Sequence, residues 1–108
     1  MEISFETESL AKLCNSRAAL QRAYGSVCAR RIEQRLQELE AVECLADMVF
    51  GRPHELKGDR AGRVSVDLVH PLRLIFKPTV DPPPLKTDGG LDRVQVKSVT
   101  IIEVTDPH

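Results

Sequence analysis

Two alternating segments joined by a short proline turn constrain the fold of this chain more than any other feature. Apolar and polar side chains alternate from Arg63 to Val69, and they alternate again from Leu72 to Lys77. The intervening Val69-His70-Pro71 sequence predicts a tight reversal, so the two segments form an antiparallel hairpin. One face of this hairpin is apolar. The polar side chains of the other face include Arg63, Ser65, Asp67, Arg73 and Lys77.

The first half of the chain predicts one short strand followed by helices. Residues 2–5 alternate and indicate an edge strand. Thr7 or Ser9 is placed to cap a short helix, and Ser16 to cap a second one. Gly25 is expected to end that second helix, because glycine is the usual residue at a helix C-terminus. A third helix is then expected to begin.

The third predicted helix has the clearest periodicity in the chain. Its apolar residues recur at steps of three and four, and charged residues fill the opposite side. This pattern predicts an amphipathic helix of about four turns, bent or broken near Val42-Glu43, that covers a sheet or forms a groove for a partner. The apolar positions are Ile32, Leu36, Leu39, Val42, Leu45 and Val49.

The segment between the hairpin and the last strand is rich in proline and glycine. Residues 78–91 include three consecutive prolines and a Gly-Gly pair, which excludes a helix or a central strand and predicts a long loop protruding from the sheet. The last strand is predicted from Arg93 to Thr105, with a bulge near Ser98. Helices that precede an antiparallel meander predict an α+β fold, in which the helices cover one face of a small antiparallel sheet. The other face is expected to be open and to expose Arg63, Arg73 and Lys77.

Length and charge limit the possible classes of function. The 108 residues predict a single domain, 1–108, and the net charge of −1 gives no overall attraction to nucleic acid. One Tyr, three Phe and no Trp exclude a ladder of aromatic platforms for single-stranded nucleic acid. The distribution of charge is uneven, however. Residues 51–77 carry six Lys or Arg and three Asp or Glu, a local charge of +3.

Cysteine usage and hydropathy predict the compartment. Cys14, Cys28 and Cys44 are widely spaced, lie in predicted helices and form no metal-ligand pattern, so they are expected to be reduced and mostly buried. The acidic N-terminal residues do not fit a signal peptide, and no apolar run approaches the length of a membrane span. A cytoplasmic protein without membrane association, metal or other cofactor is predicted.

The densest chemistry lies in the loop of residues 54–60 and at the C-terminus. The loop carries His54, Lys57 and Arg60, and the chain ends in Asp106-Pro107-His108. Cations hold a phosphodiester, and imidazoles or a carboxylate transfer protons, so the set is suited to phosphodiester chemistry. Each residue also has a plain alternative: a surface histidine at 54, a frayed end at 108, and for Arg73 a solvated side chain or an ion pair with Asp67 across the hairpin.

The residues from His54 to Phe76 resemble the HigB-type branch of the RelE/ParE toxins, the toxin halves of bacterial type II toxin–antitoxin modules. The likeness extends from about Arg30 to Lys77, returns at residues 99–108, and follows the whole order of elements. It implies a RelE-like fold and a ribosome-dependent mRNA endoribonuclease that cuts the codon in the decoding site. It also implies an antitoxin partner of the HigA type, a helix-turn-helix protein that holds the toxin inactive in a hetero-oligomer.

The resemblance also assigns roles to residues. His54 and Lys57 match the family's loop histidine and lysine, and Arg73 matches its hairpin arginine. The family's terminal Asp-Tyr-His corresponds to Asp106 and His108, with Pro107 in the position of the tyrosine. These five matched residues are the expected catalytic set, and cleavage through the RNA 2′-OH needs no metal. The further cations expected to contact RNA are Arg60, Arg63 and Lys77.

Two other hypotheses remain open. Pro107 and the net charge of −1 favour a binding module of the same fold, which inhibits a protein target such as DNA gyrase or has lost nuclease activity. The suppressing partner of a toxin ranks lowest, because no helix-turn-helix and no disordered tail is evident.

Overall fold

A computed structural model describes residues 1–58 and 62–106 and has an α+β architecture. The predicted elements, a strand, helices, a hairpin, a long loop and a last strand, occur in that order. One more strand, of two residues, lies at His54–Glu55, where the sequence predicted a loop. Short 3-10 turns lie at Leu45–Asp47 and Arg93–Gln95. The helices and strands are β1 (Glu2–Phe5), α1 (Glu8–Cys14), α2 (Arg17–Ala41), β2 (His54–Glu55), β3 (Val64–Asp67), β4 (Arg73–Pro78) and β5 (Ser98–Thr105).

Local sequence signals determine where the helices begin. The Thr7 hydroxyl accepts a hydrogen bond from the backbone N–H of Leu10 at 3.1 Å, and the Ser16 hydroxyl accepts one from Ala19 at 3.2 Å. Each bond satisfies an N–H group that the first helical turn leaves without a partner. The break predicted at Gly25 is also present, since α2 consists of two helical segments that meet there. The φ of 82° at this residue is one that side chains disfavour.

The second segment of α2 is shorter than the sequence pattern predicts. The apolar periodicity runs to Val49, but the helix ends at Ala41, and Val42 is extended. The bend or break expected near Val42-Glu43 is therefore the end of the helix. Beyond it, the backbone N–H of Leu45 donates to the carbonyl oxygen of Val96 at 2.9 Å. This segment therefore bonds to a distant turn, which a periodicity within the helix cannot reveal.

The three cysteines are free thiols. Cys14 and Cys28 are buried as predicted, and burial raises the pKa of both thiols. Cys44 is half-buried and lies beyond the end of α2, so its assignment to a helix is wrong.

The strands form one sheet in the order β1-β5-β4-β3-β2. The predicted hairpin of β3 and β4 is confirmed, and β5 pairs with β4 in the antiparallel sense. The sheet is mixed, however, because β1 pairs with β5 in parallel. A parallel pair needs a long connection between its strands, and the rest of the chain provides one here.

One face of the sheet packs against α2 and forms the core. Leu74 and Phe76 of β4 are fully buried there, as the alternation of the hairpin predicts. Burial of such apolar surface is the main favourable contribution to folding. Other members of this core are Leu20, Ile32, Leu39, Leu45, Val64, Val66, Val99 and Ile101.

The last strand differs from its prediction in two places. It begins at Ser98, because Arg93–Gln95 forms a 3-10 turn in which Val94 is exposed, and the next residue, Val96, is buried. The predicted bulge lies not near Ser98 but at Ile102, because Ile75 pairs with Glu103 while the next residue, Phe76, pairs with Ile101. The extra residue returns Val104 to the core face, where it lies opposite Leu74.

Pro78 is the last residue of β4, and residues 79–91 contain neither a helix nor a strand, as predicted. The far end of this loop is attached to the sheet. Leu91 is buried, and its backbone N–H donates to a carboxylate oxygen of Glu55 at 2.8 Å. Leu85 and Leu91 form an isolated bridge. Among the described residues, none of the helices has the length and apolar character needed to span a bilayer.

Candidate functional site

Arg73 lies at the centre of a buried polar cluster on the sheet face opposite the core. Its side chain is only 5% exposed, so the prediction that it projects from an open face is wrong. Its Nε donates to Ser65 Oγ at 2.8 Å, and one terminal nitrogen donates to the Asp67 carboxylate. The other terminal nitrogen donates to the carbonyl oxygen of Arg52 and contacts Nδ1 of His54, each at 3.2 Å. A buried charge requires such compensation.

Strand register brings this cluster together. Asp67 pairs with Arg73 across the hairpin, and His54 of β2 pairs with Ser65 of β3. Paired residues project from the same face of a sheet, so all four side chains meet on the face that lacks the helices. The chain before β2 completes the enclosure, because the carbonyl oxygen of Gly51 accepts a hydrogen bond from the backbone N–H of Asp67 at 2.7 Å.

His54 is exposed, yet both of its ring nitrogens have partners. Nδ1 lies 3.3 Å from the carbonyl oxygen of Arg52, and Nε2 lies 3.4 Å from Ser65 Oγ. When Nδ1 accepts a hydrogen bond from Arg73, the ring is neutral and Nε2–H donates to the Ser65 hydroxyl oxygen. When Nδ1 carries the proton, it donates to the carbonyl oxygen of Arg52 and cannot accept from Arg73. The two ring nitrogens can thus act as donor or acceptor at this position, as proton transfer requires.

Asp67 lies between two guanidinium groups. Nε of the exposed Arg52 donates to one carboxylate oxygen at 2.5 Å, and Arg73 donates to the other. The hydrogen bond from Arg52 lowers the pKa of Asp67 most; burial opposes the shift, and the positive charges of Arg73, Arg52 and His54 add to it. The same hydrogen bond raises the pKa of Arg52. Two cations and one anion leave the trio with a net charge of +1.

A second layer of charge connects the cluster to α2. The Nε of Arg35 donates to the backbone carbonyl of Asp67 at 2.8 Å, and its Nη1 donates to Glu38 at 2.7 Å. Gly51 leaves room for this side chain: a Cβ atom there would lie 2.6 Å from the Nε of Arg35, and the φ of 76° also favours glycine.

Three further predicted cations, Lys57, Arg63 and Lys77, do not join the cluster. Lys57 is exposed and lines a separate open pocket of about 620 Å³. Lys77 lies about 13 Å from Arg73 at the usual rise of a strand, and it pairs with Glu6 at 3.3 Å. Arg63 is half-buried, and its carbonyl oxygen accepts a hydrogen bond from Leu56 at 2.8 Å.

The C-terminal prediction is only partly within the described chain. Asp106 is exposed and directly follows Thr105, which pairs with Arg73, so it lies at the end of the sheet that holds the cluster. Arg60 and His108 lie outside the described residues. Among residues 1–58 and 62–106, no group of three His, Cys, Asp or Glu side chains is arranged to hold a metal ion.

Arg52 and Ser65 are site residues that the sequence motifs did not identify as such. Arg52 has a φ of 49°, which is uncommon for a side-chain-bearing residue. Its position between Gly51 and Pro53 is the one sequence signal for an unusual backbone. Ser65 is fully buried between His54 and Arg73. The ion pair of Asp67 with Arg73, an alternative open at the level of the sequence, is confirmed.

Comparison with known proteins identifies the fold. No protein-family model and no curated protein sequence matches the chain. Among solved structures, a YoeB/ParE toxin from Agrobacterium tumefaciens superposes over 100% of both chains with a TM-score of 0.62 and 13% identity. A YoeB dimer from Staphylococcus aureus has a TM-score of 0.57 and 18% identity, and the match covers 100% of this chain and 97% of that one. The chain therefore has the α+β fold of YoeB- and ParE-type toxin structures.

Proposed function

We propose that this protein is the toxin of a type II toxin–antitoxin module and cleaves mRNA on the ribosome. The observation that carries the proposal is the contact between the exposed imidazole of His54 and the buried guanidinium of Arg73. This pair combines a group that transfers protons with a fixed positive charge, on a sheet face that the helices leave uncovered. The shared fold with YoeB and ParE toxins and the HigB-like segment from His54 to Phe76 also favour it.

RNA cleavage by this site follows from the chemistry of the 2′-OH. This hydroxyl attacks the adjacent phosphorus, the bond to the 5′ oxygen breaks, and a cyclic phosphate and a free 5′-OH result. A base removes the proton of the 2′-OH, and an acid gives one to the leaving oxygen. His54 is the group proposed for one of these transfers, because its imidazole is exposed and lies against the guanidinium of Arg73.

Arg73 is proposed to act mainly through its charge. Its N–H groups are directed at protein acceptors, so it holds His54 and lends positive potential to the site. The more exposed Arg52 is then the guanidinium available to touch the phosphate, with 83% of its side chain accessible.

The remaining predicted residues have supporting roles in this proposal. Lys57 supplies a second charge on the loop that follows β2, and Asp106 orients a histidine or accepts a proton. His108 is the second imidazole of the scheme. Arg60, Arg63 and Lys77 contact the RNA backbone away from the scissile bond.

The proposed partners are the ribosome, its mRNA and a helix-turn-helix antitoxin of the HigA type, and the proposed compartment is the cytoplasm. An antitoxin would keep the toxin inactive in a hetero-oligomer.

A binding module of the same fold is the second candidate. Three observations favour it: the net charge of −1, Pro107 in the tyrosine position, and the engagement of Arg73 with protein acceptors. Such a protein would stop growth by binding a protein target such as DNA gyrase, with mRNA left intact.

Induced expression in a bacterial host separates the candidates. The nuclease halts growth and produces cuts within ribosome-bound mRNA, which primer extension maps. His54→Gln should lower cleavage by about 100-fold, the usual contribution of one acid–base group. Arg30→Gln is the matched control, because Arg30 is exposed on α2 and lies outside the cluster. Growth arrest with intact mRNA and relaxed plasmid DNA would instead indicate a gyrase inhibitor.

A further inference from the structure

A cleft of about 400 Å³ lies on the α2 side of the Arg73 cluster. Arginines from three parts of the chain line it: Arg31 and Arg35 from α2, Arg52 from the segment before β2, and Arg73 from β4. This volume is within the range of sites that hold small organic ligands. The residues of the hairpin turn, among them His70 and Pro71, close its end.

Positive charge in the cleft exceeds negative charge. Asp67 is the only carboxylate among its lining residues, and Glu38 lies behind it, bound to Arg35. Four guanidinium groups and two carboxylates give a formal charge of +2. The side chains of Arg35 and Arg73 are 9% and 5% exposed, so part of this charge is held where water screens it poorly.

Neutral backbone carbonyls fix these arginines in place. Arg31 donates to the carbonyl oxygen of Leu68 at 3.3 Å and Arg35 to that of Asp67 at 2.8 Å. Arg73 donates to the carbonyl oxygens of Arg52 and Ser65. Such bonds orient a guanidinium without adding a negative charge, and the carboxylates of Asp67 and Glu38 compensate only part of the four positive charges. The cleft is therefore a site of fixed positive potential that is in place before any anion binds.

We infer that this cleft binds a second phosphate group of the RNA strand, next to the phosphate that is cleaved. The inference rests on the proposed function and extends it. Arg52, Asp67 and Arg73 belong both to the cleft and to the cluster around His54, so one continuous surface joins the two. Planar guanidinium groups match the paired oxygens of a phosphodiester.

An acidic protein segment is a poorer match for this cleft. Protein interfaces usually have an apolar centre, whereas four arginines line this cleft and its apolar residues belong to the hairpin end, at Leu68, Pro71 and Leu72. The phosphate in this proposal belongs to the mRNA strand that is cleaved; rRNA presents the same phosphodiester group, and binding to ribosomes with and without mRNA distinguishes the two.

Inorganic phosphate tests the cleft independently of any nuclease activity. Thermal unfolding is followed with and without phosphate at constant ionic strength, for the wild type, Arg31→Gln and Arg30→Gln. Arg30 is the neighbouring exposed residue of α2 and does not line the cleft. Phosphate stabilises all three proteins slightly by its exclusion from protein surfaces. Site binding adds a further rise in Tm that the wild type and Arg30→Gln share and Arg31→Gln loses. Equal rises in all three would overturn the inference.

Ribosomes identify the source of the phosphate. Binding is measured over a range of salt concentrations to ribosomes without mRNA, and to ribosomes whose decoding-site codon carries 2′-O-methyl groups that block cleavage. Arg31→Gln should bind about tenfold more weakly than Arg30→Gln. The substitution should also make the negative slope of log K against log salt shallower by about 0.7, the value for one phosphate of a single strand. A difference restricted to programmed ribosomes identifies mRNA, as inferred, and one present in both samples would assign the cleft to rRNA and overturn the inference.

The outcomes separate this inference from the proposed function. If the wild type cleaves mRNA but Arg31→Gln binds ribosomes as Arg30→Gln does, the second phosphate site is rejected and the nuclease stands. If the wild type cleaves nothing and Arg31→Gln still loses its response to phosphate, the site stands and the nuclease is rejected. Weaker binding of Arg31→Gln to a poly-glutamate peptide, with unchanged binding to ribosomes, would assign the cleft to an acidic protein partner and overturn the RNA assignment.

Discussion

The two ends of β4 carry cations in the same sequence pattern but in different physical states. Arg73, at the start of the strand, is buried and bound to groups on two neighbouring strands and the loop before them. Lys77, near the end of the strand, is 44% exposed. Within the described residues, its one ion pair is with Glu6, which is similarly exposed. Both residues occupy outward positions of one alternating strand. What differs is the chain that lies beside each of them.

This difference shows that alternation in a strand determines a side chain's face but not its exposure. The segment at Gly51–Arg52 runs along the outer edge of β3 and supplies carbonyl oxygens to the sheet and to Arg73. Within residues 1–58 and 62–106, no comparable enclosure surrounds Lys77. The Arg73 end is therefore expected to respond strongly to single substitutions, and the Lys77 end weakly.

Asp67→Asn should have the largest effect on stability. It removes the one carboxylate that compensates both Arg52 and Arg73, and removal of one partner from a buried ion pair costs about 3 kcal/mol. Urea unfolding at pH 7 measures the change. Glu8→Gln is the control, because Glu8 is 85% exposed and its pair with Lys12 contributes little. Equal effects of the two substitutions would show that the Arg73 end is no more tightly coupled than the surface.

Gly51→Ala should rank second, at about 2 kcal/mol, because it adds both backbone strain and a clash with the Arg35 side chain. Gly58→Ala separates the two causes. Gly58 also has a positive φ, of 67°, but a Cβ atom there would meet no atom within 4 Å. It should lose only about 1 kcal/mol. The difference between the variants in urea unfolding then reports the clash, and identical losses would contradict a close approach of Arg35.

The stability that the Arg73 end contributes should decrease at acid pH. The folded state lowers the pKa of Asp67, chiefly through the hydrogen bond from Arg52. The contribution of Asp67 to the free energy of unfolding is therefore complete above its unfolded-state pKa of about 3.9. This contribution is lost as the pH falls through the lower pKa of the folded state. The free-energy difference between the wild type and Asp67→Asn should stay constant above about pH 5 and shrink below about pH 4.

Arg52→Ala tests the cause of this pH dependence. Removal of the principal hydrogen bond to Asp67 should move the loss of stability toward the ordinary range of a carboxyl group. Urea unfolding at several pH values measures it. A pH dependence identical to that of the wild type would mean that Arg73 alone holds the carboxylate in its ionised form.

Lys77→Ala should have the smallest effect, below about 0.5 kcal/mol, since exposed ion pairs contribute little to stability. Urea unfolding at low and high salt checks it. A loss comparable to that of Asp67→Asn would remove the contrast between the two ends of β4.

Sequence reasoning succeeded where the relevant interactions are local. The caps at Thr7 and Ser16, the break at Gly25 and the faces of the hairpin all depend on residues within a few positions of one another. The order of the elements follows from these signals. The α+β fold class was therefore predictable from the sequence, although the contacts of the loop at 78–91 were not.

The parts that the sequence did not reveal depend on distant segments. Arg73 is buried because residues before β2 return alongside β3, and no periodicity in β4 encodes that return. Arg93–Gln95 alternates like a strand but forms a turn, and the next residue, Val96, bonds to Leu45 through its carbonyl oxygen. The partners of His54 likewise require the register of β2 against β3, which only the folded sheet establishes.

The extra residue in β5 has a consequence for engineering. The pairs on either side of Ile102 are complete without it, since Ile101 meets Phe76 and Glu103 meets Ile75. Deletion of this one isoleucine would thus retain every neighbouring pair and every chemical group of the site, and would remove the local twist that bulges add to a sheet. Such a variant would reveal how far the curvature of the surface, as distinct from its composition, determines what this toxin-like scaffold can accommodate.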